Sequence, residues 1–370
     1  MSVSLRPVAT ADDAQAVHAL LERASPVGGR DWRDWHARWL WTHESNPWRL
    51  PGVPVGIVAE SEGRIVGHLG VTPVPVAWQG ETLVTQAAEA FAVDRAWQGK
   101  GLGREISAAV WASDVPQPVS FTANPTSVHL FRKFGANRVP SAVDRTRLAV
   151  LEAGALVERL RSGRGRAASV LRAPGAAALA RALAGLWIRG FRTRTRAPRG
   201  WSVSALDSRA PEVERVTRAG LRPEVFSVAL GADYLAWRYE QAPPGLCERY
   251  QLVGVRDGAG VLRAVLALEE RRHPEWGGTF TTLMDASADP EAVPAAVLGS
   301  VTEYGRARGW VALRVPLLSP AWNAACARFG FLAEAPPTVA TVVKPVGKLA
   351  GLAAWVDDAS HFSLGQGCRW

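Results

Sequence analysis

Residues 87–103 read AAEAFAVDRAWQGKGLG, and the rest of the chain is arranged around them. Ala88 to Val93 mix apolar and small residues at the spacing of a strand. Gln98-Gly99-Lys100-Gly101-Leu102-Gly103 is a glycine-rich turn, and after it Leu102, Ile106, Ala109, Val110 and Ser113 fall on one helical face. Strand, glycine turn and helix together form an anion-binding geometry. Glycines let successive backbone N–H groups converge, and the positive end of the helix dipole adds to them. Lys100 and Arg104 bring positive charge to the same turn. Two phosphate-binding patterns are excluded: the P-loop needs four residues between its glycines and then Gly-Lys-Ser/Thr, and the dinucleotide turn needs G-x-G-x-x-G.

The turn fits Q/R-x-x-G-x-G/A. A second segment reinforces it. After a short strand at Val119 to Thr122 comes Asn124-Pro-Thr-Ser127-Val-His-Leu130-Phe131-Arg-Lys133-Phe-Gly135, which fits N-x-x-A/S-x-x-L-Y-x-K-x-G at Asn124, Ser127, Leu130, Lys133 and Gly135. Two motifs in this order resemble the GNAT superfamily of acyl-CoA-dependent N-acyltransferases, directly over about the first 150 residues. The resemblance implies an α/β fold with a mixed, mostly antiparallel central sheet flanked by helices. It also implies that Gln98, Gly99, Lys100, Gly101, Leu102, Gly103, Arg104, Asn124 and Phe131 contact acyl-CoA, most simply acetyl-CoA. The backbone N–H groups of Phe91 and Val93 would hold the acyl carbonyl.

From Trp201 the same order recurs. Trp201 to Leu206 reads as a strand, Pro211 to Ala219 as a helix, and Tyr250 to Arg256 with Val261 to Glu269 as a hairpin about Asp257-Gly258. Tyr234 to Pro243 echoes Arg38 to Pro47, Thr279 to Met284 echoes the central strand, and Ser319 to Phe331 echoes the second motif. This reads as a tandem repeat: a catalytic domain at 1–150, a helical connector at 151–200, a degenerate copy at 201–345 and a tail at 346–370. The second copy has no glycine loop. Asp285-Ala-Ser-Ala-Asp289-Pro-Glu291 comes after its central strand, and carboxylates at a helix start would repel a phosphate.

Acyl transfer needs the amine to lose a proton. Glu89, on the alternation expected for Phe91 and Val93, is the candidate base, directly or through water. Glu44 and His43 are second choices, since they come after the tryptophan-rich helix near Trp32, Trp35 and Trp39, in the region that lines the acceptor cleft in the resembling fold. Trp41 and Trp48 there would suit an apolar or flat amine, small or lipid-like. The carboxylate of Trp370 is a further option for the base. Phe131 replaces the tyrosine that usually protonates the leaving thiolate, so no acid is assigned. Rival readings are an aminoacyl-tRNA-dependent transferase of tandem type and a non-catalytic acyl-CoA-binding protein.

Composition adds bounds. No apolar run is long enough to span a bilayer, the start lacks a signal pattern, and three distant cysteines suggest neither disulfides nor zinc, so a cytoplasmic protein without a metal is expected. The formal charge is +9. Residues 151–200 hold eleven arginines and two glutamates, which accounts for the whole excess. The segment reads as two amphipathic helices, the second carrying Leu179, Leu183, Leu186, Trp187 and Phe191. Its apolar face is expected to pack between the domains. Peripheral membrane contact through 176–196 is the alternative, and nucleic acid is disfavoured because only Trp187 and Phe191 could stack on bases. Oligomeric state is not readable.

Overall fold

The computed structural model describes residues 2–24, 31–111, 118–139, 146–162, 166–173, 175–221, 226–274, 276–290, 292–316, 320–334, 340–345, 348–349 and 360–361. The chain begins with β1 (Ser4–Pro7), α1 (Thr10–Ala24), α2 (Trp32–His43), β2 (Gly56–Ser61), β3 (Arg64–Trp78), β4 (Glu81–Val93), α3 (Leu102–Trp111), β5 (Pro118–Ala123), α4 (Pro125–Arg132) and β6 (Asn137–Val139). Next come β7 (Thr146–Val150), α5 (Ala153–Ser162), α6 (Arg166–Leu171) and α7 (Ala176–Arg194). The later half holds β8 (Ser202–Ala205), α8 (Pro211–Gly220), β9 (Phe226–Val228), α9 (Ala232–Leu235), β10 (Tyr250–Arg256), β11 (Leu262–His273), β12 (Gly278–Ala288), α10 (Pro294–Ala307), β13 (Trp310–Pro316), α11 (Pro320–Phe329), β14 (Leu332–Ala333), β15 (Ala340–Val343) and β16 (Ser360–His361).

The molecule is α/β, with two mixed sheets flanked by helices. The first runs β1-β2-β3-β4-β5-β15-β6, with β9 on β3 and β16 on β9; the second runs β14-β7-β13-β12-β11-β10-β8. Both are antiparallel except for β4 beside β5 and β16 beside β9 in the first and β12 beside β13 in the second. A turn at Ser61-Glu62-Gly63 joins β2 to β3, and Glu62 and Gly63 take the positive φ that its tightness demands.

The sheets exchange strands. Thr146–Val150, at the end of the segment read as the first domain, pairs antiparallel with β13 in the second sheet. In return β15, from the far end of the chain, fills the place between β5 and β6. Alternation within a short apolar strand fixes which face is buried but not which sheet accepts it. The described residues of 151–200 form three helices, not two. Trp370, Cys368, Ser319, Glu291 and most of 346–370 lie outside the described residues.

Three apolar clusters position the site. One packs α3 and α4 on the first sheet through Leu102, Ile106, Trp111 and Phe131. A second packs α1 and α2 on the opposite face through Leu20, Trp35 and Trp39. The third joins the two halves: Trp41, Val76 and Trp78 meet Phe226, Tyr234 and Trp237. Trp41 stacks on Trp237 with centroids 4.8 Å apart, and its indole N–H donates to the Trp237 carbonyl at 3.1 Å. The two stretches that echo each other in sequence therefore touch. Trp41 is a buried joint between the halves, not the wall of a cleft, and Trp48 packs against the same joint beside Tyr234 and Trp237.

Candidate functional site

The site grows from an irregularity in β4. Pairing with β3 runs regularly to Gly70↔Glu89, then resumes at His68↔Ala92. One residue of β3 thus faces two of β4, a β-bulge at Ala90 and Phe91. Ala90 has φ +49, a left-handed backbone for a residue with a side chain, and such strain persists where the surroundings enforce it. His68, fully buried, holds the bulge: its Nδ1 lies 2.9 Å from the Ala90 carbonyl and donates to it.

The bulge also resets which side chains face which way. Ala88, Phe91 and Val93 all belong to the cluster under α3, while Ala92 packs with α1 and α2. Glu89 is turned to the α2 face, so the expected shared alternation of Glu89 with Phe91 and Val93 does not hold. The extra residue breaks the period of two. On that face Thr72 donates its hydroxyl to Glu89 Oε1, and His43 Nε2 lies 4.0 Å from the same oxygen. The Glu89 side chain is 9% exposed and that of His43 1%. Burial pushes His43 down to about 3 and His68 down to about 4, so both imidazoles are neutral at pH 7. Glu44 is the exposed C-cap of α2, and the structure does not bring it into this group.

Beside the bulge, β4 and β5 part. Their parallel pairing covers Gln86↔Pro118 and Ala87↔Val119. Beyond it, Ser120 Oγ reaches the Ala88 carbonyl at 3.3 Å. Among the described residues no backbone pairing joins the strands beyond this point, although β4 runs on to Val93 and β5 to Ala123, and this unpaired gap is a wedge between them. The Asp94 N–H donates to Val66 on β3 at 2.9 Å, so by alternation the Val93 N–H points into the wedge.

The glycine turn sits at the wide end. Asp94 accepts from the Ala96 N–H and starts a tight turn, and Gln98 donates its side-chain amide to the Val93 carbonyl at 3.0 Å. Gly99 and Gly101 have φ +76 and +91, and a Cβ built on either meets nothing within 4 Å. Among the described residues, no backbone carbonyl accepts from the N–H of Gly99, Gly101, Leu102 or Gly103. Lys100 and Arg104 are exposed on the same turn, and Lys100 lies over the Trp97 ring. Gly103 lets the helix approach, since a Cβ there would come within 3.3 Å of the Phe91 ring. An open nest of N–H groups backed by a helix terminus and two cations can hold the phosphates of a nucleotide-bearing ligand.

Asn124 and Phe131 are placed differently. Asn124 Oδ1 accepts from the Ser127 N–H at 2.8 Å and caps α4. Phe131 is 2% exposed and stacks on Trp111 at 4.5 Å, which makes it core. His68 and Thr72 were not singled out from the sequence. Their one signal is a polar residue inside an otherwise apolar strand, which carries no role by itself.

The second half repeats the bulge without the turn. Ala267↔Asp285 is succeeded by Leu268↔Leu283, so Met284 is the extra residue of β12. Asp285 there is buried, accepts from the Tyr239 hydroxyl, and is pushed up to about 7 by burial. Asp289 is paired with Arg215 and Arg263, and α10 begins at Pro294 behind Val293. The expectation that carboxylates cap this helix fails for Asp289, which sits five residues upstream of Pro294 and is already neutralised. Cys326 is fully buried with its thiol pushed up to about 12, as a small core residue would be.

Residues 15–136 match the acetyltransferase (GNAT) family. No curated protein matches the sequence. Among solved structures, a GCN5-related N-acetyltransferase from Anabaena variabilis superposes with TM-score 0.56 at 10% identity, over 92% of this chain and 72% of that one. A conserved protein from Enterococcus faecalis, described as a probable N-acyltransferase, does so with TM-score 0.56 at 9% identity, over 93% and 72%. N-myristoyltransferase from Saccharomyces cerevisiae with bound myristoyl-CoA gives TM-score 0.55 at 11% identity, over 93% and 78%. These likenesses show the fold. Among the described residues no His, Cys, Asp and Glu cluster could hold a metal.

Proposed function

We propose that the chain is an acyl-CoA-dependent N-acyltransferase, with the first sheet catalytic and the second a degenerate copy of the same fold. The observation that carries this reading is the open glycine nest at the wide end of a wedge whose inner edge is a bulged strand bearing a buried carboxylate. The acyl-CoA supplies an activated thioester. Gly99, Gly101, Leu102 and Gly103 would bind its phosphates through their N–H groups, with Lys100 and Arg104 adding charge. The Val93 N–H, and that of Phe91 beside it, would hold the acyl carbonyl and stabilise charge developing on its oxygen. Glu89, on the other face of the bulge, would take the proton of the incoming amine, directly or through water. The new amide bond forms as the carbon–sulfur bond breaks. The thiolate then takes a proton from water, since Phe131 has none to give. His43 and His68, both neutral, place no positive charge beside Glu89.

The donor is acetyl-CoA on the family match, and the yeast neighbour bound to myristoyl-CoA makes longer chains worth the same assay. The acceptor is a primary amine, small or lipid-like. The test is release of free thiol from acetyl-, octanoyl- and myristoyl-CoA across a panel of amines. Amine-dependent release supports an enzyme. Tight binding of acyl-CoA with no release above the amine-free control would leave a binding protein, and no binding at all would overturn the reading.

A further inference from the structure

We infer that the apolar face of α7 is a docking surface for an anionic lipid bilayer. Leu179, Leu183 and Leu186 recur at the spacing of one helical face and are 64%, 58% and 62% exposed. Val170 on α6, at 63%, and Leu160 on α5, at 44%, add to the apolar surface of the same helical connector. The expectation that this face packs between the two halves fails for these three leucines, while Trp187 and Phe191, counted on the same face, do pack against the core. What packs is the opposite side through Ile188, which joins Leu148 and Trp276, and the flank through Phe191, which joins Phe331. The helix is anchored by its last turns and leaves its leucines in water. Large contiguous apolar surface left exposed marks an interaction site.

Charge selects the occupant. The helix carries Arg181, Arg189, Arg192 and Arg194 and no carboxylate. On the neighbouring α5, Glu158 is already held by Arg161 and Arg181. At the C-terminal end, Arg192, Arg196 and Arg306 line a cleft of about 590 Å³ with Thr193, Glu303 and Ala307. Among the described residues none of these three arginines forms an ion pair. A second copy of the chain would bring arginines against arginines. A nucleic acid would need stacking side chains, yet Trp187 and Phe191 stack on each other at 5.5 Å and Phe191 is fully buried. A bilayer rich in anionic lipid accommodates both features: leucines enter the boundary of the acyl chains while Arg189 and Arg194, which flank the leucine face, meet phosphates. The helix lies on such a surface and does not cross it, since no helix among the described residues is long and apolar enough.

The test is sedimentation of the full chain with vesicles of phosphatidylcholine alone and of phosphatidylcholine with phosphatidylglycerol. Binding is expected only to the anionic vesicles, and at least about tenfold weaker when salt rises from about 50 mM to about 500 mM. Replacing the exposed Arg189, Arg192 and Arg194 by Gln should weaken it on the order of 100-fold. Replacing Leu179, Leu183 and Leu186 by Gln should weaken it at both salt concentrations, with the far-UV spectrum and melting temperature unchanged. No sedimentation with anionic vesicles at low salt would overturn the inference. So would a concentration-dependent dimer, by sedimentation equilibrium, that the leucine variant abolishes while vesicle binding is absent. The thiol-release assay is unaffected by either result, so the two readings fail separately.

Discussion

Glu89→Gln isolates the proposed base with little structural cost. The side chain is 9% exposed and accepts the Thr72 hydroxyl through Oε1. Glutamine has the same length and its Oε1 accepts the same bond. His43 Nε2, at 4.0 Å, is beyond hydrogen-bond range of that oxygen and loses no direct bond. The fold should therefore hold within about 1 kcal/mol. What disappears is the negative charge that receives the amine proton. Positioned general bases contribute about 10²–10⁴ in rate, roughly 3–5 kcal/mol of barrier at 1.36 kcal/mol per decade. Because the bulge turns Glu89 to the α2 face, away from the glycine turn under α3, donor affinity should change less than about threefold. The assay is steady-state thiol release with the best amine of the panel, alongside calorimetric binding of acyl-CoA. Glu89→Asp should recover part of the rate, since it restores the charge one methylene short. A variant within about threefold of the parent in kcat near pH 7 would refute the argument. Loss of kcat in strict proportion to loss of donor binding would refute it equally.

Gly101→Glu should weaken calorimetric CoA binding by at least about 100-fold, because a carboxylate enters a nest built for phosphate, while the left-handed backbone at φ +91 costs about 1–2 kcal/mol of stability. The parent should bind one CoA per chain, and two equivalent sites would contradict the degenerate second copy. Buried His43 and His68 titrate near 3 and 4 when folded and near 6.5 when unfolded, so the stability they lend is full above pH 6.5 and lost as pH falls, at about 1.4 kcal/mol per unit each. Melting temperature should drop steeply below pH 6, and His43→Gln should flatten that slope. Asp285 has the opposite sign: raised to about 7, it favours the fold at low pH and opposes it as pH rises through 7. Asp285→Asn, still able to accept from Tyr239, should raise the melting temperature at pH 8 and leave it unchanged at pH 4.

Local signals in the sequence located most of the elements. The alternation of Ala88 to Val93, the glycines of the turn, and Leu102, Ile106 and Val110 at helical spacing all fall where the structure has β4, the turn and α3. The hairpin of β10 and β11 was legible for the same reason. The misreadings concern contacts between distant residues. Nothing in Thr146–Val150 distinguishes β13 from the first sheet as its partner. Nothing in Trp41 tells that its neighbour is Trp237. The bulge leaves no local signal: Ala90 is an ordinary residue in an unusual backbone, held by His68 and by pairing with β3. That single extra residue decided the face of Glu89, and therefore its partners Thr72 and His43. The helix α7 misled in another way. Its leucine spacing announced an apolar face, and burial was the default inference, yet of that face only Phe191 is fully buried, and Ile188 on the opposite side anchors the helix with it.

The two central strands give the strongest argument for one catalytic half. Both β4 and β12 lie between an antiparallel and a parallel neighbour, and both carry a bulge past the last parallel pair. A bulge alone therefore does not make a site; it is a property that both sheets possess. The two halves differ in the segment between the bulged strand and the next helix. After β4, two glycines in left-handed conformation lead straight into α3 and leave a row of N–H groups open. After β12, Asp289 is locked by Arg215 and Arg263, and Pro294 supplies no N–H at the start of α10. An anion has donors to meet in the first half and a filled ion pair in the second. At the second bulge the buried Asp285 accepts from the Tyr239 hydroxyl, so that carboxylate meets a side chain of its own half. With β7 in the second sheet and β15 in the first, the later half of the chain contributes β15 beside β5, the strand that forms the far edge of the wedge.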